Sequence, residues 1–349
     1  MSQPAPSQPA MIGVTAIKPV ERHGWEAVKW FFWDPQNRAV MGRTGKSWAL
    51  ITIFYIIYYA CLAAFWALIF YIFWLTLDTN VPKCIMDDGL IGKSPGLGLR
   101  PSQPDSRLDS SMIIFNKDSK NGTDDYPGYE VWQKSIQQFL ASHYHDDAHK
   151  GSKVKAQDCS PGSKAGDGES RVCKFNTAML QYCGNERTAY GYKNGHPCIY
   201  LKLNRIFGLE NDNYQEKISD MPEDLQKHID SFDLKFRNMN PKPTKDQTWV
   251  SCEGENPADK EALGKVRYFP KTQGFSSEYF PYMGHDSYQS PLVAVQFVRP
   301  KVGQLLHVEC RAWAKNIEHD TMKRIGMVHF ELFILDQNNF ELYKNNELP

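Results

Sequence analysis

The sequence predicts a single-pass membrane protein. One transmembrane α-helix is followed by an extracellular antiparallel β-sandwich, covered on one face by an α-helix and linked by disulfides. Three observations predict this. Residues 48–77, WALITIFYIIYYACLAAFWALIFYIFWLTL, carry no charge over 30 positions. In the C-terminal half, apolar residues recur at every second position in short segments, the period of half-buried strands. Six cysteines fall between positions 159 and 310, as in crosslinked domains of oxidising compartments.

Composition narrows the function. The 40 basic and 40 acidic residues cancel, which argues against a nucleic-acid partner, because such binding needs a basic footprint. The mean hydropathy of −0.51 excludes a polytopic membrane protein but not one span. Apolar residues at 42% are enough for a core. Four regions follow: a cytoplasmic tail (1–47), the span (48–77), an extracellular linker (78–128) and a disulfide-linked domain (129–349).

In the tail, residues 1–20 are Ser-, Pro-, Gln- and Ala-rich without periodicity, the composition of an unstructured segment. Residues 25–33, WEAVKWFFW, are aromatic and suited to the inner membrane face. The apolar run rises about 45 Å as a helix, enough to cross a bilayer core with tilt. Trp48 and Trp74 lie near its ends, at headgroup level. It is too long and too far from residue 1 for a cleaved signal peptide, so it reads as a signal anchor. Residues 1–47 hold six basic against three acidic residues, while Asp78, Asp87 and Asp88 face a single Lys83 beyond the run. The positive-inside rule therefore places the N-terminus in the cytoplasm, a type II topology, with the C-terminus outside. The one N-glycosylation sequon, Asn121-Gly122-Thr123, falls on the outer side.

Residues 129–140, YEVWQKSIQQFL, place Val131, Trp132, Ile136, Phe139 and Leu140 on one helical face, predicting an amphipathic helix. CIYLKLNRIF, LVAVQFV, LLHVECRAWA and MVHFELFIL predict strands. Cys159, Cys173, Cys183, Cys198, Cys252 and Cys310 allow 15 pairings. Cys252 and Cys310 each sit in a strand-like segment, where a bond would tie two sheets together. Cys61 lies mid-span as a small apolar residue, and Cys84 is the odd cysteine outside it. Close Cys-x-x-Cys pairs are lacking, so no zinc site is predicted.

Several motifs lack the context their chemistry requires. Gly92-Lys93-Ser94-Pro95-Gly96 has the spacing of a nucleophile elbow, but Pro95 and the glycines that follow cannot start its helix. Gly45-Lys46-Ser47 ends like a phosphate loop, yet Val40 stands where the first glycine belongs. His143, His145, Asp146, Asp147 and His149 form a polar cluster with metal-ligand chemistry, but a solvated loop accounts for it. A type II Golgi glycosyltransferase would hold its sugar nucleotide through Asp-x-Asp, which the chain does not contain.

FFWDPQNRAVMGRTGKSW (31–48), FYIIYYACLA (54–63), YGYKNGHPCIYLKLNRIFGL (190–209), YFPYMG (279–284), SPLVAVQF (290–297) and VECRAWAKNI (308–317) together resemble the beta subunits of the sodium/potassium-transporting ATPase and its proton/potassium relatives. The likeness runs from about residue 25 to the C-terminus and is poor over 100–170. It implies a noncatalytic subunit without cofactor in the plasma membrane, obligatory partner of a ten-helix P-type catalytic alpha subunit. Such a subunit chaperones alpha's assembly and surface delivery and tunes potassium transport. A small regulatory single-pass subunit can join the heterodimer. The resemblance further implies an immunoglobulin-like sandwich with disulfides in sequential order, 159–173, 183–198 and 252–310. It implies transmembrane contact to alpha through Tyr55, Tyr58 and Tyr59, beside a small-residue pair, Ala60 and Ala64. It also implies extracellular contact through Tyr279, Phe280, Pro281 and Tyr282 and through Tyr190, Gly191 and Tyr192. Core packing of these aromatics is the competing reading. The first disulfide loop is shorter than in familiar vertebrate members, and Cys84 has no counterpart. The alternatives to a sodium-pump subunit are a proton/potassium pump subunit and a pump-independent adhesion or junction protein on the same fold.

Overall fold

The computed structural model describes residues 24–35, 38–78, 81–102, 111–122, 126–145, 152, 154, 156–159, 172–214, 221–236 and 246–337, without the side chains of 26, 27, 30 and 231–236. The expected tail 1–20, Thr123 of the sequon, and Asp146, Asp147 and His149 of the histidine cluster lie outside the described residues. The chain divides into two units, Met1–Leu77 and Asp78–Pro349.

In the first unit, α1 (Trp25–Phe32) precedes a hairpin of β1 (Ala39–Val40) and β2 (Arg43–Thr44). α2 (Gly45–Leu75) follows at once, and Gly45-Lys46-Ser47 forms its first turn. The Trp48 indole donates to the Val40 carbonyl at 2.9 Å, fixing the helix start to the hairpin. At the far end Thr76 closes the last turn, its hydroxyl donating to the Phe73 carbonyl at 2.7 Å. No side chain of α2 is buried. An apolar helix of 31 residues without a buried face needs lipid or partner helices as its solvent.

The second unit contains two main sheets. One has five strands in the order β10 (Gly274–Ser276), β8 (Gln247–Gly254), β12 (Leu305–Trp313), β13 (Met327–Leu335), β4 (Met112–Asn116). The other has four: β3 (Leu97–Arg100), β7 (Cys198–Leu203), β11 (Val293–Val298), β9 (Lys265–Phe269). A short parallel pair, β5 (Ala156–Gln157) and β6 (Val172–Cys173), stands apart. Alternation drives the layering. Along β12, Leu306, Val308, Cys310 and Ala312 are buried and join Phe330, Leu332 and Ile334 of β13 in a core shared with Ile199, Leu201, Val295 and Phe297 of the four-stranded sheet. The Phe297 and Phe330 rings meet across the sheets at 6.0 Å. On the outer face of the five-stranded sheet, Trp249 and Trp313 pack with Leu225 of α4 (Glu223–Phe236).

The four-stranded sheet is covered twice. Every residue of β11 from Val293 to Phe297 is buried, because a 3₁₀ segment (Thr177–Gly184, then Glu186–Asn194) lies on its other face and α3 (Tyr129–Tyr144) lies on that segment. α3 buries Trp132, Ile136, Phe139 and Tyr144, and leaves Val131 and Leu140 half-buried. The Trp132 indole donates to the Ile114 carbonyl of β4 at 2.8 Å. A last short helix, α5 (Pro257–Leu263), joins β8 to β9.

Three features depart from the sequence reading. The segment 78–128 is no mere linker: β3 and β4 come from it and edge the two sheets. β4 pairs parallel with β13, so the five-stranded sheet is mixed rather than purely antiparallel. And the bond between Cys252 and Cys310 joins neighbouring strands of one sheet, not two sheets, because the two residues stand directly opposite in the β8–β12 register with Cα atoms 4.1 Å apart. The other bonds are Cys159–Cys173, and Cys183–Cys198, which anchors the 3₁₀ segment to the start of β7.

Candidate partner-binding site

On α2, Tyr55, Tyr58 and Tyr59 form one aromatic row, about half exposed, with ring centroids 6.0 Å apart for Tyr55–Tyr59 and 5.4 Å for Tyr58–Tyr59. Phe54 extends it by stacking on Tyr58 at 6.2 Å. At 100° per residue Ala60 and Ala64 lie roughly opposite this row. The phenols and the small-residue pair are therefore two faces, and a single partner helix meets one of them.

In the second unit, register brings the beginnings of β3, β11 and β13 and the ends of β7 and β12 to one pole. The segment Tyr279–Gly284 lies there, bridged by Tyr282 to Phe207, with the Gly208 amide donating to the Tyr282 carbonyl at 2.8 Å. Arg205, which follows β7, holds the segment. Its guanidinium carbon sits 5.4 Å from the Tyr282 ring centroid and 5.2 Å from that of Tyr288. It donates to Ser290 Oγ at 3.3 Å and to the Tyr288 carbonyl at 3.4 Å. The segment is graded. Tyr279 and Phe280 are buried, Pro281 and Tyr282 half-buried, and Met283, Gly284 and His285 exposed. Burial raises the Tyr279 phenol above its usual range, helped by neighbouring Glu278 and Asp158. Nearby, burial followed by the charges of Arg100 and Arg205 lowers Lys202. Burial likewise lowers His143, with Lys202, Arg205 and Arg100 adding to it against a backbone hydrogen bond from Phe139.

Tyr190, Gly191 and Tyr192 are held elsewhere and present no surface. All three are buried beneath α3. Tyr192 stacks on Trp132 at 6.3 Å and packs on Phe115 at 4.8 Å, and its hydroxyl has no hydrogen-bond partner among the described residues. Burial and nearby Glu186 push the Tyr190 phenol up to about 12. Gly191 is a backbone requirement: its φ is +85°, and a Cβ there would stand 2.0 Å from the His196 carbonyl oxygen. The core reading thus describes this block.

Asn121 is exposed on a tight loop, its carbonyl accepting from the Gly128 amide at 3.2 Å. His143 turns back on α3, its Nδ1 2.7 Å from Ser142 Oγ, while His145 is exposed. Ser94 Oγ accepts from the Glu318 amide at 3.0 Å, and β3 follows it where an elbow needs a helix. Among the described residues, no group of three His, Cys, Asp or Glu side chains is placed to hold a metal. Arg205 went unnoticed in the sequence. Its only signal was the pair of tyrosines, Tyr282 and Tyr288, flanking a turn downstream.

The comparisons match this arrangement to known proteins. A model of the family described as "Sodium / potassium ATPase beta chain" covers residues 18–330. The chain belongs to that family. It is 38% identical over 317 residues to "Sodium/potassium-transporting ATPase subunit beta-2" of Drosophila melanogaster, covering 91% of this chain and 94% of that protein. It is 35% identical to "Probable sodium/potassium-transporting ATPase subunit beta-3" of Caenorhabditis briggsae (89% and 88% covered). It is 30% identical to the human subunit beta-2 (88% and 94% covered). The single apolar helix, the three disulfides and the β-rich domain are those of a single-pass beta chain.

Proposed function

We propose that this chain is the noncatalytic beta subunit of a sodium/potassium-transporting P-type ATPase. It assembles with a catalytic alpha subunit, chaperones its delivery to the plasma membrane and tunes potassium transport. The observation that carries this is the family match over residues 18–330, joined to an apolar helix with no buried face of its own. In this reading α2 is a type II signal anchor and residues 78–349 lie outside the cell as the family's immunoglobulin-like domain, with Asn121 glycosylated. The Tyr55–Tyr58–Tyr59 row is the face that meets alpha, since phenols left in lipid lack hydrogen-bond partners. Ala60 and Ala64 remain for a second neighbour, such as a small single-pass subunit. Outside, Pro281, Tyr282 and the exposed residues after them form the contact, with Tyr279 and Phe280 as its buried footing.

The test is co-expression with a sodium-pump alpha subunit and purification on this chain. Alpha co-purifies with the native chain, and Tyr58→Ala/Tyr59→Ala reduces its recovery. A glycosylated chain reaching the surface without alpha would overturn the proposal for that alpha.

A further inference from the structure

The most exposed apolar side chains of the second unit are Leu90 (109%), Met322 (94%) and Ile91 (77%); no other large apolar residue described there exceeds 42%. They occupy two loops. Leu90 and Ile91 lie in the approach to β3. Met322 tips the turn between β12 and β13, where the Asp320 carboxylate accepts from the Met322 and Lys323 amides at 2.9 and 3.1 Å. The loop bases are joined: Ser94 Oγ accepts from the Glu318 amide at 3.0 Å and donates to its carbonyl at 3.4 Å. Both tips therefore project from the pole at which the chain enters β3.

Isolated exposed leucines need no explanation, but three tips on two joined loops form a patch, which soluble surfaces rarely leave uncovered. We infer that these tips insert into the headgroup–acyl boundary of the bilayer that α2 spans. This rests on α2 being a membrane span and holds for either orientation. Two observations identify lipid as the occupant. Only twelve residues, 78–89, separate Leu77 from Leu90. Fully extended they reach about 40 Å, but the chain here is wound into successive turns, Gly89 to Met86 at 3.1 Å and Gly92 to Gly89 at 3.2 Å, so its reach is shorter. The flanking charges are also neutralised in place, Lys93 by Asp87 at 3.4 Å and Lys323 by Asp320 at 3.9 Å. A surface with paired charges and apolar tips suits a zwitterionic lipid face and does not depend on anionic lipid.

The test uses the full chain in phosphatidylcholine vesicles. Cys61→Ala and Cys84→Ser remove the free thiols. An environment-sensitive fluorophore is then placed at Ile91→Cys, at Met322→Cys, or, as a control at the start of the 3₁₀ segment before β7, at Glu186→Cys. The labels at 91 and 322 are expected to shift to the blue and to lose intensity to lipids brominated high on the acyl chain, whereas the label at 186 does neither. Adding anionic lipid leaves the result unchanged. Carbonate washing reports the span independently: loss of the chain from the vesicles overturns the span and this inference with it. Retention with both labels in water overturns the inference alone. Labels that turn apolar only when a catalytic pump chain is co-reconstituted would assign the loops to protein and overturn it equally.

Discussion

Replacing Arg205 by alanine isolates the clamp on the 279–284 segment. The side chain is exposed, so its two ring contacts fall at the weak end of the cation–π range, about 0.5–1 kcal/mol each. Its hydrogen bonds, at 3.3 and 3.4 Å, are long and contribute about 0.5 kcal/mol each. The loss sums to about 2 kcal/mol, which for a domain of this size lowers Tm by roughly 4–8 °C. Arg205→Lys keeps the charge but not the planar fork and should lose about half as much. The assay is thermal unfolding of the purified full chain in detergent, paired with alpha recovery on co-expression. In a double-mutant cycle, Arg205→Ala and Tyr282→Ala should be less than additive. An Arg205→Ala chain melting with the native one, and recovering alpha as well, would refute the clamp.

Tyr192 and Tyr200 give opposite expectations from the same substitution. Tyr192→Phe removes a buried hydroxyl without a partner and should be neutral or stabilising by about 1 kcal/mol, whereas Tyr200→Phe removes the donor to the Cys183 carbonyl and should cost about 1 kcal/mol. Equal effects in denaturant unfolding would contradict this. Removing the Cys252–Cys310 bond by paired alanines frees a 58-residue loop and should cost about 4 kcal/mol, against about 3 for the bonds spanning 14 and 15 residues. The reverse order of unfolding midpoints would be inconsistent with the loop-closure account. His143, His196, His228 and His319 are all held below the ordinary histidine value, first by burial. The unfolded chain then binds more protons below pH about 6.5, so stability is full above that value and declines as pH falls toward the folded values. A Tm that rises between pH 7.5 and 5.5 would go against it.

What was legible in the sequence follows its periodicities. The uncharged run announced α2. Trp132, Ile136 and Phe139 at helical spacing announced α3, and alternation announced β7, β11, β12 and β13. β3 was hidden because LGLR holds a glycine between its leucines and precedes Pro101. β4 was hidden because its partner β13 lies more than two hundred residues away, and a short apolar run does not reveal a parallel edge. α4 offered Leu225 and Ile229 four apart, a signal that was present and passed over. The aromatic blocks divided on a property that sequence does not carry. Residues 189–191 all have positive φ, a turn that tucks Tyr190 and Tyr192 under α3, while Tyr282 stays near the surface on Arg205. The opposition of the tyrosine row and the alanine pair was within reach of the 100° periodicity once both were placed on one helix.

The central claim is that this chain carries a catalytic subunit to the cell surface. The most direct measurement is surface-labelled alpha and its cardiac-glycoside-sensitive ATPase activity in cells lacking any other beta chain, with and without this one. The account predicts that both appear only when this chain is present and fall with Tyr58→Ala/Tyr59→Ala. Surface alpha that is equally abundant and active without it would contradict the account.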